Sequence, residues 1–112
     1  MKIESRIEKS VMVLKLSGEL MAGQDSDQLR NIVDQAIREE NVNVVADMAE
    51  VTWMNSSGLG MLISALTSLR SSEGDLRLAC LSEKVKRPIK ITKLDKVFLE
   101  YNTVPEAIAS YS

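Results

Sequence analysis

The chain has 112 residues, of which 45% are apolar and 27% are charged, and its net charge at pH 7 is -2. This size fits a single domain with one hydrophobic core, and the composition is ordinary for a soluble globular protein. The lack of a basic excess disfavours nucleic acid and anionic membranes as partners, and no apolar run approaches the ~20 residues of a membrane span.

Two residue counts restrict the chemistry further. The single cysteine, Cys80, cannot form an internal disulfide, which suits the reducing cytoplasm. The chain contains no histidine, which excludes a Ser-His triad, a His-ligated zinc site and a histidine phosphorelay. No Gly-rich phosphate loop is present either. We therefore expect a cytoplasmic protein without catalytic residues, metal ligands, a cofactor or membrane insertion.

Two strands are predicted at the start of the chain. Ile3, Ser5 and Ile7 alternate with charged residues, which is the pattern of an edge strand with one wet face. The nearly apolar run Val11–Leu16 predicts a more buried second strand. Because only the short polar stretch 8–10 separates them, the two strands should form a hairpin.

A helix and a central strand are predicted next. After a loop from Gly18 to Asp25, Asp25 should cap the helix, with Gln28 completing a capping box. The apolar residues of this helix have the spacing of one buried stripe: Leu29, Ile32, Val33, Ala36 and Ile37. The β-branched run Val42–Ala46, ended by Asp47, predicts a buried strand, and the crossover makes it parallel to the second strand.

The stretch Trp53–Gly60 lies where a strand is followed by a long helix, and it contains two adjacent serines and two glycines. The helix is predicted from about Ser57 to Glu73 by its apolar stripe: Leu59, Leu62, Ile63, Leu66 and Leu69. The first N–H groups of a helix have no internal partners, so this position suits negative charge. Asn55, Ser56 and Ser57 are also good N-cap residues, and capping alone would explain one of them.

Two further features of this stretch have alternative explanations. Gly60, in the first turn of a helix, either packs against the sheet or allows close approach of another backbone or a partner. At least one of Trp53 and Met54 should be a core residue under the loop.

The last third of the chain should add a strand, a short helix, a brief strand and a terminal helix. Gly74 should end the preceding helix in a left-handed cap, and Cys80 should be a small buried residue of the next strand. A helix opened by Ser82 should kink or restart at Pro88. The remaining signals are a strand at 97–99, a capping box of Thr103 and Glu106, and packing of Tyr111 on the body.

The run from Asp47 to Leu62 resembles the signature of the STAS family, the anti-sigma factor antagonists of bacteria. In that family a strand ending in Asp is followed by a short loop, an apolar pair and Asp-Ser-Ser/Thr-Gly-Leu-Gly at the start of a helix. Leu16–Leu20 and Val85–Arg87 follow the family's order, so the resemblance spans nearly the whole chain. It implies one α/β STAS-type domain, 1–112, with a mixed four- to five-stranded sheet and about four helices.

The resemblance implies a function as a phosphorylation switch. In the family, an anti-sigma factor serine kinase phosphorylates the first serine of the motif, here Ser56, and a metal-dependent serine phosphatase reverses the modification. The unmodified antagonist sequesters the kinase and frees the sigma factor. By the same resemblance we expect a chain with no catalysis of its own, and a monomer is the default expectation for its size and surface. The predicted partner-binding residues are Met21, Asn55, Ser57, Gly58, Leu59 and Gly60.

The chain departs from the family pattern at two positions. Asn55 stands where the family usually has Asp, and Met21 stands where an Asp often contributes to the phosphorylation surface. These departures leave an alternative open, namely a STAS scaffold or transporter-associated subunit that is not phosphorylated and whose same loop binds a partner permanently.

Overall fold

The structure is a computed structural model that describes residues 1–21 and 23–112, except for the side chains of Gln24 and Asp25. Across these residues the chain forms five strands and four α-helices. In chain order they are β1 (Lys2–Glu8), β2 (Val11–Leu20), α1 (Gln24–Arg38), β3 (Asn43–Met54), α2 (Ser56–Ser71), β4 (Asp75–Ala79), α3 (Glu83–Ile91), a 3₁₀ turn (Leu94–Lys96), β5 (Glu100–Tyr101) and α4 (Val104–Ala109).

The five strands form one sheet in the order β1-β2-β3-β4-β5. β1 is antiparallel to β2, and every other neighbouring pair is parallel. The hairpin between the first two strands turns at Lys9 and Ser10, whose φ angles of 53° and 66° are left-handed. The predicted α/β class, edge strand, hairpin and β2–α1–β3 crossover are all confirmed.

The helices cover the two faces of the sheet unequally. The main core joins α1, α2 and α3 to one face, and a smaller cluster joins α4 to the other face, including Val13, Val45 and Ile108. Tyr111 fixes the end of the chain to this second face, because its hydroxyl donates to the Val44 carbonyl at 2.6 Å. No helix within the described residues is long and apolar enough to cross a bilayer.

Two strands are longer than the sequence predicted. β2 continues to Leu20 instead of entering a loop at Gly18, and β3 continues past Asp47 to Met54. The two extensions pair with each other, with Leu20 opposite Met54, after register shifts on either side of Gly18. β4 pairs only with the first part of β3, Asn43–Asp47. In the second part, buried residues recur at every third position, Met48, Val51 and Met54, so this segment lacks the alternation that predicts a strand.

The helix ends also differ from the predictions. α1 begins at Gln24 with Gly23 as its N-cap, so Asp25 lies within the first turn and is not the cap; its side chain lies outside the described residues. Glu73, with φ 66°, is the left-handed residue after α2. Gly74 is required for a different reason, since a β-carbon there would lie 2.1 Å from the Val42 carbonyl oxygen.

The last third of the chain contains three further differences. α3 is a single helix from Glu83 to Ile91 with Pro88 inside it, so the predicted restart is wrong, whereas the alternative of a kink at Pro88 stays a prediction. The predicted strand at 97–99 is replaced by a buried Phe98 that precedes β5. Cys80 is half-buried at the end of β4 with a left-handed φ of 63°, so it is not a core strand residue. One half of the predicted capping box of α4 is confirmed, because the Thr103 hydroxyl accepts a hydrogen bond from the Glu106 N–H.

Candidate functional site

The candidate site lies where the ends of β2 and β3 meet the start of α2. The Leu20 carbonyl accepts a long hydrogen bond of 3.4 Å from the Asn55 N–H, which links the last residue of β2 to the residue that precedes α2. Met21 follows Leu20 directly and is 38% exposed. The parallel pairing therefore brings the Met21 and Asn55 segments, which are far apart in sequence, to one edge of the sheet.

Asn55 is the N-cap of α2. Its Oδ1 accepts a hydrogen bond from the Gly58 N–H at 2.8 Å and another from the Ser57 hydroxyl at 2.8 Å. An N-cap side chain that accepts from the third helical N–H satisfies one of the donors left open at a helix start. Asn55 and Ser57 therefore take part in the hydrogen bonds that cap this helix terminus.

Ser56 is different from its two neighbours. It is the first residue of α2 and is exposed. Its hydroxyl makes no hydrogen bond to any residue that the structure describes. No acidic residue lies in the first turn of α2, so the positive end of the helix dipole is not neutralised by a carboxylate there. The arrangement presents a hydroxyl to solvent at a position that favours added negative charge.

The two glycines of the motif have separate roles. A β-carbon on Gly58 would lie 1.9 Å from the Leu20 carbonyl oxygen, so α2 approaches the end of β2 as closely as a glycine permits. A β-carbon on Gly60 would meet no atom within 4 Å. The interpretation that Gly60 packs against the sheet is wrong, and the space beside it is open to a partner.

The other predicted site residues divide by burial. Leu59 is 4% exposed and Met54 is 4% exposed, so both belong mainly to the core. Trp53 is 46% exposed. The prediction that at least one of Trp53 and Met54 is a core residue is therefore confirmed for Met54, whereas Trp53 lies on the surface beside Ser56.

A surface groove beside Ser56 was not anticipated from the sequence. Its volume is about 510 Å³, and it lies between the start of α2 and the face of α3. We call it the Trp53 groove; its lining includes Trp53, Ser56, Leu59, Ile63, Lys84, Arg87, Pro88 and Ile91. Two separate sequence signals belong to it, the isolated Trp53 and the run of basic residues in and after α3, but the sequence does not show that the two meet.

The Cys80 thiol is not activated as a nucleophile. Burial raises the pKa of the Cys80 thiol, and the charge of Asp47 raises it further, so this thiol stays protonated at neutral pH. Among the described residues, no group of three or more Cys, Asp or Glu side chains could hold a metal ion. The arrangement can offer a hydroxyl for modification and a surface for binding.

Comparisons with known proteins identify the family and the fold. A model of the STAS domain family matches residues 2–107. A relative from Paenibacillus polymyxa named anti-sigma F factor antagonist is 27% identical, over 96% of this chain and 92% of its own length. The crystal structure of TM1081 from Thermotoga maritima is 25% identical with a TM-score of 0.87, covering 96% of this chain and 92% of that one.

The fold is also known from a phosphorylated protein. The structure of the Bacillus cell fate determinant SpoIIAA in its phosphorylated form has a TM-score of 0.76 to this chain. At 20% identity, over 99% of this chain and 100% of that one, the similarity shows the shared fold alone.

Proposed function

The chain belongs to the STAS domain family, and we propose that it is an anti-sigma factor antagonist that binds an anti-sigma factor serine kinase while Ser56 is unmodified. Phosphorylation of Ser56 by that kinase causes the complex to dissociate. A serine phosphatase then removes the phosphate and restores the form that binds the kinase. The chain, 1–112, acts in the cytoplasm as one domain, as a substrate and a binding partner and not as an enzyme.

The position of Ser56 carries this proposal. The hydroxyl is exposed at the first turn of α2, whereas the neighbouring Ser57 hydroxyl is held by Asn55. A kinase needs a hydroxyl that it can reach without first breaking the helix cap. Of the two serines, Ser56 meets that condition. The open space beside Gly60 and the exposed Met21 provide further contact surface around it.

Asn55 preserves the cap in place of the family's usual Asp. Its Oδ1 makes both hydrogen bonds that a carboxylate oxygen would make at this position. It adds no negative charge next to Ser56, so the phosphate would not be repelled by its own N-cap. The departure from the family pattern is therefore compatible with phosphorylation.

The domain itself should tolerate the phosphate. A phosphoserine adds about -1.5 to -2 charges at pH 7. At the N-terminus of α2 that charge meets the positive end of the helix dipole, a gain of about 0.3–1 kcal/mol. Phosphorylation should therefore leave the fold intact.

At the interface the same charge has the opposite effect. A unit charge about 4 Å from a partner carboxylate costs about 4 kcal/mol at an effective dielectric constant of about 20. Since about 1.4 kcal/mol corresponds to a tenfold change in affinity, one such contact weakens binding roughly a thousandfold. A single modification can therefore switch the complex without refolding either protein.

Phosphosite mapping tests the proposal. The purified chain is incubated with ATP and, in turn, each anti-sigma factor serine kinase of the source organism, and its intact mass is measured before peptide mapping. We expect one phosphate on Ser56 in the wild type and in the Ser57→Ala control, and none in Ser56→Ala. Equal phosphorylation of Ser56→Ala would contradict the assignment. No phosphorylation by any kinase, with co-purification of a membrane transporter, would favour the non-phosphorylated scaffold.

A further inference from the structure

The charge of this chain is distributed unevenly. Between Glu83 and Lys96 the sequence has six basic and two acidic residues, a net charge of +4 in a chain whose total is -2. The remainder of the chain therefore carries a net charge of -6. The basic residues lie in α3 and the segment that follows it, which borders the Trp53 groove.

The groove combines an apolar lining with a basic rim. Trp53 is 46% exposed and Ile91 is 73% exposed, and both line it together with Ile63 and Pro88. Lys84 and Arg87, both exposed, border the same groove. No ion pair found among the described residues involves either of them. Large exposed apolar side chains next to cations that make no ion pair are typical of a binding surface.

Ser56 lies at one end of this groove. The first turn of α2 contains no acidic residue, so the helix dipole adds to the positive potential of Lys84 and Arg87. The Trp53 groove is therefore bordered by three sources of positive potential: the N-terminus of α2, Lys84 and Arg87. The chemistry that complements it is an apolar side chain flanked by carboxylates.

We infer that the Trp53 groove binds an acidic, apolar segment of the anti-sigma factor, with carboxylates of that segment on Lys84 and Arg87. The inference rests on the proposed function, since the partner is the kinase that the function requires. The carboxylates of the bound segment would then be the negative charges that a phosphate on Ser56 repels. The phosphate would in addition compete with those carboxylates for the same two cations.

Charge reversal with a matched control tests this inference. Lys84→Glu with Arg87→Glu is compared with Lys2→Glu with Arg6→Glu on the edge strand β1, which does not line the groove; both double substitutions change the net charge by the same amount. Both pairs are exposed, and circular dichroism verifies that each variant is folded. Affinity for the kinase is measured in a Ser56→Ala background, so that phosphorylation does not alter the complex, at low and high NaCl.

The expected result is a loss of affinity of about tenfold or more for Lys84→Glu/Arg87→Glu, because two attractive contacts become repulsive. The control should bind within about twofold of the parent, and added salt should weaken the parent more than the groove variant. Trp53 is the single tryptophan of the chain. Incorporated 5-fluorotryptophan should therefore give one ¹⁹F resonance that shifts when unlabelled kinase binds.

The outcomes separate the two proposals. Equal affinity of the groove variant and the control for the kinase, or an unchanged ¹⁹F resonance in the complex, would overturn the groove assignment. A difference in kinase affinity between Ser56→Ala and Ser56→Asp would still support the switch in that case. Equal binding of Ser56→Ala and Ser56→Asp would overturn the switch, whatever the groove variants do. No binding of any kinase to the unmodified chain would overturn both.

Discussion

Gly58 lies so close to Leu20 that a β-carbon on the glycine would be 1.9 Å from the leucine carbonyl oxygen. The same carbonyl accepts the hydrogen bond of the Asn55 N–H. The end of β2 is therefore packed directly against the first turn of α2. This contact fixes the direction in which the helix leaves the sheet and, with it, the position of Ser56.

Gly58→Ala should destabilise the domain by about 1–3 kcal/mol or more, because the added methyl group must displace backbone. The free energy of unfolding from urea denaturation measures the effect. An unchanged midpoint and slope would mean that α2 shifts freely on β2, contrary to the close packing.

Gly60→Ala is the matched control, since its β-carbon would enter open space. Alanine is the better helix former by about 1 kcal/mol, so this variant should be as stable as the wild type or slightly more stable. If the open space beside Gly60 is occupied by the kinase in the complex, the same variant should bind the kinase more weakly. A destabilised Gly60→Ala would show that the space beside this residue is not open.

Asn55→Ala should lower the free energy of unfolding by about 1 kcal/mol, because Gly58 N–H loses its acceptor at the start of α2. Ser56→Ala removes a hydroxyl that makes no hydrogen bond to any residue that the structure describes. The free energy of unfolding of this variant should therefore stay close to the wild-type value. Comparable losses for both variants would indicate that Ser56 also caps the helix.

Trp53 and Met54 are adjacent but should respond differently to truncation. Met54→Ala removes a side chain that is 4% exposed and should cost about 2–5 kcal/mol of stability. Trp53→Ala removes one that is 46% exposed, so it should cost much less stability but weaken binding of the kinase. Thermal denaturation and a binding titration on the same two samples measure both effects. A larger loss of stability for Trp53→Ala than for Met54→Ala would contradict the assignment of Met54 to the core and of Trp53 to the surface.

Tyr111→Phe should destabilise the fold by about 1–3 kcal/mol, because the phenol bonds to the Val44 carbonyl at 2.6 Å and the Asp75 carbonyl at 3.0 Å. Burial raises the pKa of the Tyr111 phenol above the ordinary 10.0. An unfolded tyrosine ionises near pH 10, while the folded one keeps its proton. Its stabilising contribution is therefore complete below about pH 10 and declines above it.

Urea denaturation between about pH 8 and 11 tests this dependence. The stability of the wild type should fall more steeply above pH 10 than that of Tyr111→Phe, because the variant lacks this titration. Parallel curves for the two proteins would mean that the phenol ionises equally in the folded and unfolded states.

The sequence predicted those parts of the fold that have strong periodic patterns. The stripe from Leu29 to Ile37 and the alternation of Ile3 and Ile7 each depend on local spacing, so the helix and the edge strand could be identified. The second half of β3 could not, because this part of the strand pairs with β2 alone, and its buried residues Met48, Val51 and Met54 recur at every third position instead of alternating. The end of the pairing with β4 depends on tertiary structure, so no local pattern in the sequence predicts it.

The candidate site was predictable in part for the same reason. The residue types from Asn55 to Gly60 located the start of α2, but Asn55, Ser56 and Ser57 are acceptors of similar quality for an N-cap, so the sequence could not reveal which of them caps the helix. The separate roles of Gly58 and Gly60 depend on the position of Leu20, which is distant in sequence. The proximity of α3 to Ser56 depends on the packing of two crossover helices, so the Trp53 groove was not found.

The affinity of the kinase for the unmodified chain, compared with that for the chain stoichiometrically phosphorylated on Ser56, tests the central claim most directly. The account predicts that both forms are folded and that the phosphate weakens binding by roughly a thousandfold, as expected for a charge of this size facing partner carboxylates. Equal affinity of the two folded forms would contradict it.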